Sequence, residues 1–470
     1  MRARYLLPRG DSFEVRVADF TLGKDARVVE AFRIEALSDL GPASSRDEGL
    51  PWIHAGLFDS HLHLTWIGET ERRVVAESFS SLHNYLEALK VFLNLTPRDE
   101  ILISYGFDEE RFGLARDDLR DQVGALLPGD RKWLLYRVCG HLACASPALL
   151  GELGLDPKQT LLDDNGIQSL QSRLPAPKRE TLKSDFLCAQ RKMLAAGITA
   201  IGDMSLDEAL IPAILELRSE GRVELDYQGV MIDDKKKGGF LETPFLHRDG
   251  SRHFEIRHWK RYLDGSFGSR TAWLREPYAD GGDAKGLRLH QTEELIASAR
   301  QALKKGFALS FHAIGDAALE QLIELSAALA HEMRHMNRQA GLNLHRIEHA
   351  QLMGDDQLLR LRDLDLWTIC VQPYHRVADD SFITKRLGAK RLQTQAYRLD
   401  SIIDAGLPLS LGSDAPITFY DPSRTLESCH TLDFAEALWI YTTRGRAVHG
   451  LPSRDITLGA RVWRLEAQRG

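Results

Sequence analysis

The feature that most constrains this chain is a rhythm of short strand-like runs, most of them separated by helical stretches, that extends from Gly56 to Pro416. The runs are GLFDSHLHL (Gly56 to Leu64), ITAIGDM (Ile198 to Met204), VELDYQGVMI (Val223 to Ile232) and HFEIRHWKRYLDG (His253 to Gly265), followed by FALSFHAIGD (Phe307 to Asp316), LHRIEHAQLM (Leu344 to Met353), LWTICVQPYH (Leu366 to His375) and LPLSLGSDAP (Leu407 to Pro416). Helix-like segments such as SDFLCAQRKMLAAG, LDEALIPAILELRSEG and TEELIASARQALKKG fall between them, and a long one follows Asp316 through Ala330. Eight strands with intervening helices predict an α/β fold, either a closed (β/α)8 TIM barrel or a doubly wound open sheet. Alternation favours closure. Ala308, Ser310 and His312 share one face and Phe307, Leu309 and Phe311 the other, while Pro408, Ser410, Gly412 and Asp414 oppose Leu407, Leu409 and Leu411. Small or polar residues inside and apolar ones toward helices suit a barrel with a site at its mouth.

The two ends of the chain read differently. SFEVRVADFTL (Ser12 to Leu22), RVVEAFRIEAL (Arg27 to Leu37) and DITLGARVWRLEA (Asp455 to Ala467) are β-like runs set among turn residues. A sheet this small cannot close its own core, so residues 1–55 and 440–470 are expected to form one small β-sandwich beside a barrel at 56–439. About residues 66–182, between the first two barrel strands, lies an insertion with a helix at Ser80 to Leu93 and strands at Ile101 to Gly106 and Trp133 to Gly140.

His61 and His63 stand two residues apart near the end of the first run. Residues i and i+2 of a strand face the same side, and paired neutral imidazoles suit a divalent transition metal. Alone, such a pair reads equally well as ordinary polar residues at a strand end. Further metal-capable side chains, however, close other runs: Lys260, His312, His349 and Asp414. Functional groups of a (β/α) barrel sit at the C-terminal strand ends, so position and chemistry agree.

Taken together, GLFDSHLHL, WKRYLDGSFGSRTAWLREPYAD (Trp259 to Asp280), FHAIGDAAL (Phe311 to Leu319), HRIEHAQLM (His345 to Met353) and LGSDAPI (Leu411 to Ile417) resemble the ordered motifs of the amidohydrolase superfamily, and more narrowly its family 3 branch. The resemblance runs from about Gly56 to Ala437. It implies a metal-dependent hydrolase of non-peptide carbon–nitrogen bonds, with divalent metal, expected as two zinc ions, on a TIM barrel joined to a small β-sandwich. It further implies that His61 and His63 bind the first metal and His312 and His349 the second. Lys260 falls where the family has a carbamylated lysine bridging the two ions. A free lysine has only donors, whereas a carbamate offers anionic oxygens. The plain alternative is a lysine snorkelling from a strand end. Asp414 is implied as a ligand of the first metal and as the catalytic group that passes a proton from the attacking water to the departing nitrogen; an Asp capping the turn before Pro416 is its plain alternative. His141, Arg270, Gln372 and His375 flank the expected mouth or the insert and are candidates for substrate contact. Two departures, Ala55 in place of the usual proline and the shortened ending TLGARVWRL, touch no ligand position.

Composition narrows the partners. A net charge of -7 carries no footprint for nucleic acid or anionic membrane, and no run approaches the roughly 18 uninterrupted apolar residues of a membrane span. The N-terminus has too short an apolar run for a secretory signal. Cys139, Cys144, Cys188, Cys370 and Cys429 are an odd, scattered set, which fits reduced thiols in the cytoplasm. A small-molecule substrate remains as the expected partner, and a homodimer stays open. Two other readings stay beside the hydrolase: a mononuclear deaminase, for which the Glu usual shortly after the fifth-strand His is missing at Ala313 to Asp316, and a non-catalytic barrel that keeps its metal site.

Overall fold

The computed structural model describes residues 1–9, 12–24, 31–70, 73–76, 79–107, 112, 127–137, 142–162, 164–175, 177–206, 209–232, 244–249, 252–454, 456 and 461–465. The contacts divide the chain into two units, Met1–Leu64 with Phe186–Gly470, and Thr65–Asp185. In the first, β1 (Arg2–Arg9) pairs antiparallel with β2 (Ser12–Lys24), and β2 with β3 (Phe32–Pro42). A three-residue strand, β4 (Trp52–His54), runs parallel to β1 at Arg4 and Trp52. Period-two alternation buries Ala3, Tyr5, Ala18, Phe20, Ile34 and Ile53 together. Sequence reading did not anticipate β1 or β4. In β1 arginines interrupt the apolar residues, and β4 is too short to show a period.

The first barrel strand, β5 (Leu57–Leu62), is buried along its whole length. The inserted unit follows. There β6 (Val74–Val75), β7 (Leu102–Phe107) and β8 (Trp133–Arg137) run parallel, and β9 (Ala143–Ala145) and β10 (Leu161–Leu162) continue the sheet antiparallel. The expected helix spans Leu82–Leu95. Ser81 caps it by accepting the Asn84 N–H at 3.3 Å, and Tyr85, Leu86, Leu89 and Leu93 face the core that holds Phe107 and Trp133. Residues 138–141, with Cys139 and His141, lie outside the described residues.

After the insert come β11 (Ile198–Leu206), β12 (Asp226–Ile232), a side strand β13 (Phe245–Asp249), β14 (Arg252–Tyr262), β15 (Ala308–Ala313), β16 (His345–His349), β17 (Trp367–Val371) and β18 (Leu409–Leu411). With β5 they form eight parallel barrel strands in the order β5-β11-β12-β14-β15-β16-β17-β18, and β13 pairs only with β14. Two hydrogen bonds join the ends of this order: Asp414 N–H to His61 O at 2.7 Å and His63 N–H to Ala415 O at 2.8 Å. The expected TIM barrel is therefore present; β5, β14, β15, β16, β17 and β18 end earlier than the apolar pattern suggests, β12 ends at Ile232 as expected, and β11 runs two residues further, to Leu206.

The outward face is aromatic. Phe311 lies 6.0 Å from both Trp259 and Trp367, and Trp367 Nε1 donates to Ser326 Oγ at 2.9 Å on helix Asp316–Ala340. That helix runs beyond the expected Ala330 to a stop at Gly341, whose φ of 72° suits a left-handed C-terminal residue. The inward face is polar, with Glu255, His258, Lys260, Arg346 and Glu348 each at most 1% exposed. Residues Ile440–Val448 wind into helical turns against β5 and β18, and the following His449 meets Ser410 Oγ at 2.9 Å. The C-terminal strand of the small sheet is thus β19 (Arg461–Leu465), which pairs with β3 and β4 and closes the sheet as β1-β2-β3-β19-β4. Both chain ends build this small β-domain, as expected. No described helix is long and apolar enough to cross a membrane.

Glu255 shows how the polar interior is sustained. Gln228 Nε2 donates to its Oε1 at 2.7 Å, while His253 Nε2 and Arg257 Nη2 stand 3.0 and 3.2 Å from its Oε2. Burial opposes its ionisation, but His253, Arg257 and His258 prevail and hold the carboxyl at about 2. A folded-state value below the ordinary 4.5 contributes stability that is complete above pH 4.5 and lost as pH falls toward 2. Glu255→Gln should lower stability at pH 7 by roughly 3 kcal/mol, because it leaves the Arg257 guanidinium without its carboxylate. Urea melts between pH 4.5 and 2 should show a flatter acid slope for the variant than for the parent.

Candidate metal centre

The centre forms at the seam where β18 meets β5. Asp59, inside the first strand, accepts the His61 N–H at 3.2 Å and the Ser413 N–H at 2.9 Å with one carboxylate oxygen. A Cβ at Gly412 would press on His61, so the glycine of LGSDAP permits this close approach. Beyond it Asp414 adopts φ of 61°, a conformation that costs about 1–3 kcal/mol in a non-glycine residue and is held by the seam.

Two groups of buried side chains share Asp414: His61 with His63, and His349 with His375. Its Oδ1 stands 3.2 Å from both His61 Nε2 and His63 Nε2, and its Oδ2 stands 3.3 Å from His375 Nε2. Hydrogen bonds on the far ring nitrogens set the roles. His61 Nδ1 donates to Glu348 Oε2 at 2.7 Å, and His349 Nδ1 donates to Gln372 Oε1 at 2.7 Å, so both Nε2 atoms present lone pairs. Gln372 is itself oriented, since its Nε2 donates to Cys370 O at 3.2 Å. His375 differs. Gln351 Nε2 donates to its Nδ1 at 2.7 Å, which leaves the proton on Nε2 as a donor to Asp414.

His312 joins the cluster from β15, its ring 4.5 Å from that of His349, with Nε2 donating to Gly265 O at 3.1 Å and Nδ1 left as acceptor. Burial first, then the Lys260 charge, lowers His312 to about 3. Burial is also the largest effect on His63, lowered to about 4, and on His349, held well below its ordinary value. Neutral imidazoles are the form that binds metal. Burial resists ionisation of Asp414, yet the imidazoles packed around it hold it well below the usual carboxylate range. Lys260 lies on the inner face of β14, 1% exposed, and among the described residues no carboxylate pairs with its ammonium.

A family model described as the amidohydrolase family matches residues 53–461. The chain belongs to the amidohydrolase family. It is similar to YtcJ of Bacillus subtilis (strain 168), 28% identical over 398 residues that cover 79% of this chain and 72% of that one. The LONG AFTER FAR-RED 3 protein of Arabidopsis thaliana is 24% identical over 409 residues, covering 79% of this chain and 67% of its own. Among solved structures, an uncharacterized metal-dependent hydrolase from Pyrococcus furiosus matches at TM-score 0.71 and 23% identity over 99% of both chains. One from Pyrococcus horikoshii OT3 matches at TM-score 0.72 and 24% identity, over 89% of this chain and 87% of that one. These last two likenesses establish the shared fold.

In this amidohydrolase the family motifs acquire physical reasons. Asp264 of the DGS segment accepts N–H groups from Trp273, Ile314 and Gly315 at 2.9, 3.0 and 2.7 Å, and so ties GSRTA and HAIGD together beside His312. A Cβ at Gly315 would overlap the Trp273 carbonyl. Sequence reasoning missed Asp264, Asp59, Gln351 and Glu348 as parts of the centre. The available signal was an acid within an otherwise apolar strand: Asp59 two residues before His61, and Glu348 two residues after Arg346, which places the ion pair on one face at 2.7 Å. Consecutive residues Glu348 and His349 would normally face opposite sides; the strand breaks at His349 and Ala350, with φ of 76° and 47°. Of the candidates for substrate contact, Gln372 and His375 lie in the cluster, as orienting groups. Arg270 is exposed and paired with Asp280 at 3.0 Å, and His141 lies outside the described residues.

Glu348→Gln keeps an acceptor for His61 while removing the charge that Arg346 and His61 share. Metal affinity should fall about 10–100-fold. Competition against a chelator, with folding checked by circular dichroism, measures it.

Proposed function

We propose that this amidohydrolase hydrolyses a non-peptide carbon–nitrogen bond in an amide, cyclic amide or N-acyl group of a small molecule, with His61, His63 and Asp414 holding one zinc ion and His312 and His349 a second. The observation that carries this reading is the buried group of His61, His63 and Asp414, whose ligand atoms lie within 4.8 Å of one another, with the rings of His349 and His312 packed beside it. The donor set fits. Imidazole and carboxylate suit zinc, and His61, His349 and His312 each have the second ring nitrogen engaged, as ligand histidines do.

Lys260 is the proposed bridge, as a carbamate. A buried ammonium among neutral imidazoles, with no carboxylate partner among the described residues, is costly, and carbamylation would replace that cation with anionic oxygens able to hold divalent ions. A divalent ion bound here lowers the pKa of water and polarises a carbonyl oxygen. The chain's own residues do the rest. Asp414, kept ionised, takes the proton of the attacking water and delivers it to the departing nitrogen. His375 holds Asp414 Oδ2 with its Nε2–H, and Gln351 fixes which nitrogen carries that proton.

The deaminase reading has less support, because Asp316, the acid nearest to His312 in sequence, is committed to the Arg275 N–H at 2.9 Å. The reading assigns the protein to the cytoplasm, where the described cysteines Cys144, Cys188, Cys370 and Cys429 remain reduced.

Metal analysis and a turnover panel of N-acyl amines, N-acyl amino acids and lactams test the proposal. The zinc-loaded protein should hold about two ions, Lys260→Ala about one, and Asp414→Asn should lose about 10²–10⁴-fold in turnover. Full activity of Lys260→Ala with one tightly held ion would refute the bridge. A metal-loaded protein inert across the whole panel would favour the non-catalytic barrel.

A further inference from the structure

Tyr262 follows Lys260 by two residues on β14, so both side chains share the inner face. It pairs with His312 across the β14–β15 ladder. The two rings stand 5.1 Å apart at 42°, and the Lys260 ammonium lies 4.8 Å from the tyrosine ring. The side chain is half-buried, yet among the described residues its hydroxyl has no hydrogen-bond partner. That hydroxyl is open to solvent, whereas other tyrosines of the unit place theirs on a partner. In this unit Tyr227 donates to Asp203 at 2.9 Å, Tyr278 to Ala272 O at 2.8 Å and Tyr397 to Asp379 at 2.6 Å. Tyr262 thus has a ring fixed against His312 and Lys260, two of the side chains proposed to hold metal, and carries an uncommitted, solvent-open hydroxyl.

We propose that Tyr262 touches the substrate, its hydroxyl donating to the oxygen of the scissile carbonyl; this rests on the hydrolase reading above. Water oxygen bonds to the carbonyl carbon while the C=O electron pair moves onto the oxygen held by Tyr262. Return of that pair breaks the C–N bond, and the nitrogen leaves with the proton carried by Asp414, giving a carboxylic acid and an amine. A donor fixed before reaction favours the oxyanion over the planar ground state, since it needs no reorganisation as charge develops. The ligand class is therefore an amide whose carbonyl oxygen is free of its own internal hydrogen bond, and tetrahedral oxyanions should bind in its place.

The test uses zinc-loaded full-length protein, with methylphosphonate as the tetrahedral probe and acetate as the planar one, followed by calorimetry. Tyr262→Phe removes the hydroxyl alone, and Tyr262→Leu removes the ring as well. Both should keep the parent zinc content and melting temperature. Both should bind methylphosphonate about tenfold more weakly, with acetate changed by less than about twofold; on any amide the parent hydrolyses, kcat should fall about a hundredfold at similar KM. Methylphosphonate affinity within about twofold of the parent in Tyr262→Phe overturns the assignment and leaves the metal reading standing. A zinc-bearing parent that ignores methylphosphonate overturns it too. A parent that takes up no zinc removes the hydrolase reading itself, and the inference with it.

Discussion

The closing seam of the barrel, where β18 returns to β5, is the constraint on which the rest of the structure depends. One carboxylate, Asp59, gathers the backbone N–H groups of His61 and Ser413, and the neighbouring hydrogen bonds from Asp414 to His61 and from His63 to Ala415 complete the join. The same few residues that shut the sheet therefore carry the metal-capable groups. Closure and site assembly are one event in this fold. A slip of one residue would turn His61 and His63 away from the interior, because strand side chains alternate.

The interior of the barrel is charged, so it can be stable only as a satisfied network. Arg346 spans Glu348 and the Ser60 carbonyl, Glu348 also holds His61, and Ser310 donates to Glu348 at 2.8 Å. Burial pushes each of these groups toward neutrality, and the partner charge decides the outcome: Glu348 is held well below its ordinary value by Arg346 and His61 despite complete burial. The first layer of imidazoles is thereby oriented by a second layer that never reaches the mouth. Such dependence makes the site rigid, and it also makes the loss of one inner partner felt at the centre.

Much of this was legible in the sequence because two periods suffice to read it. Period two identified the eight barrel strands and put Ser310 beside His312 and Ser410 beside Gly412, and the strand ends carried the residues that now converge. What escaped has a common physical cause. Asp264 and Glu348 work through contacts between elements far apart in sequence, from the turn after β14 to the turn after β15 and from β16 to β5, and no local pattern announces such partners. Gln372 and His375 were noticed as polar residues after β17, yet their orienting roles follow only from which amide nitrogen or oxygen faces which ring. Strand β1 escaped because its arginines obscure the buried face that Ala3 and Tyr5 make.

The tautomers carry the argument one step further than the residue types do. Among the described residues five imidazoles crowd this centre, and a count of histidines treats them alike. Their outer partners divide them. Carboxylate or carbonyl oxygens on His61, His349 and His312 draw the ring proton outward and leave a lone pair facing in, whereas an amide N–H on His375 forces the proton inward, onto Asp414. A ring with an inward proton cannot donate electrons to a cation at that nitrogen, so His375 belongs to Asp414 rather than to a metal. The chemistry of this centre is thus written in the groups behind the histidines, and an amide turned the wrong way would change a ligand into a hydrogen-bond donor without altering a single residue at the mouth.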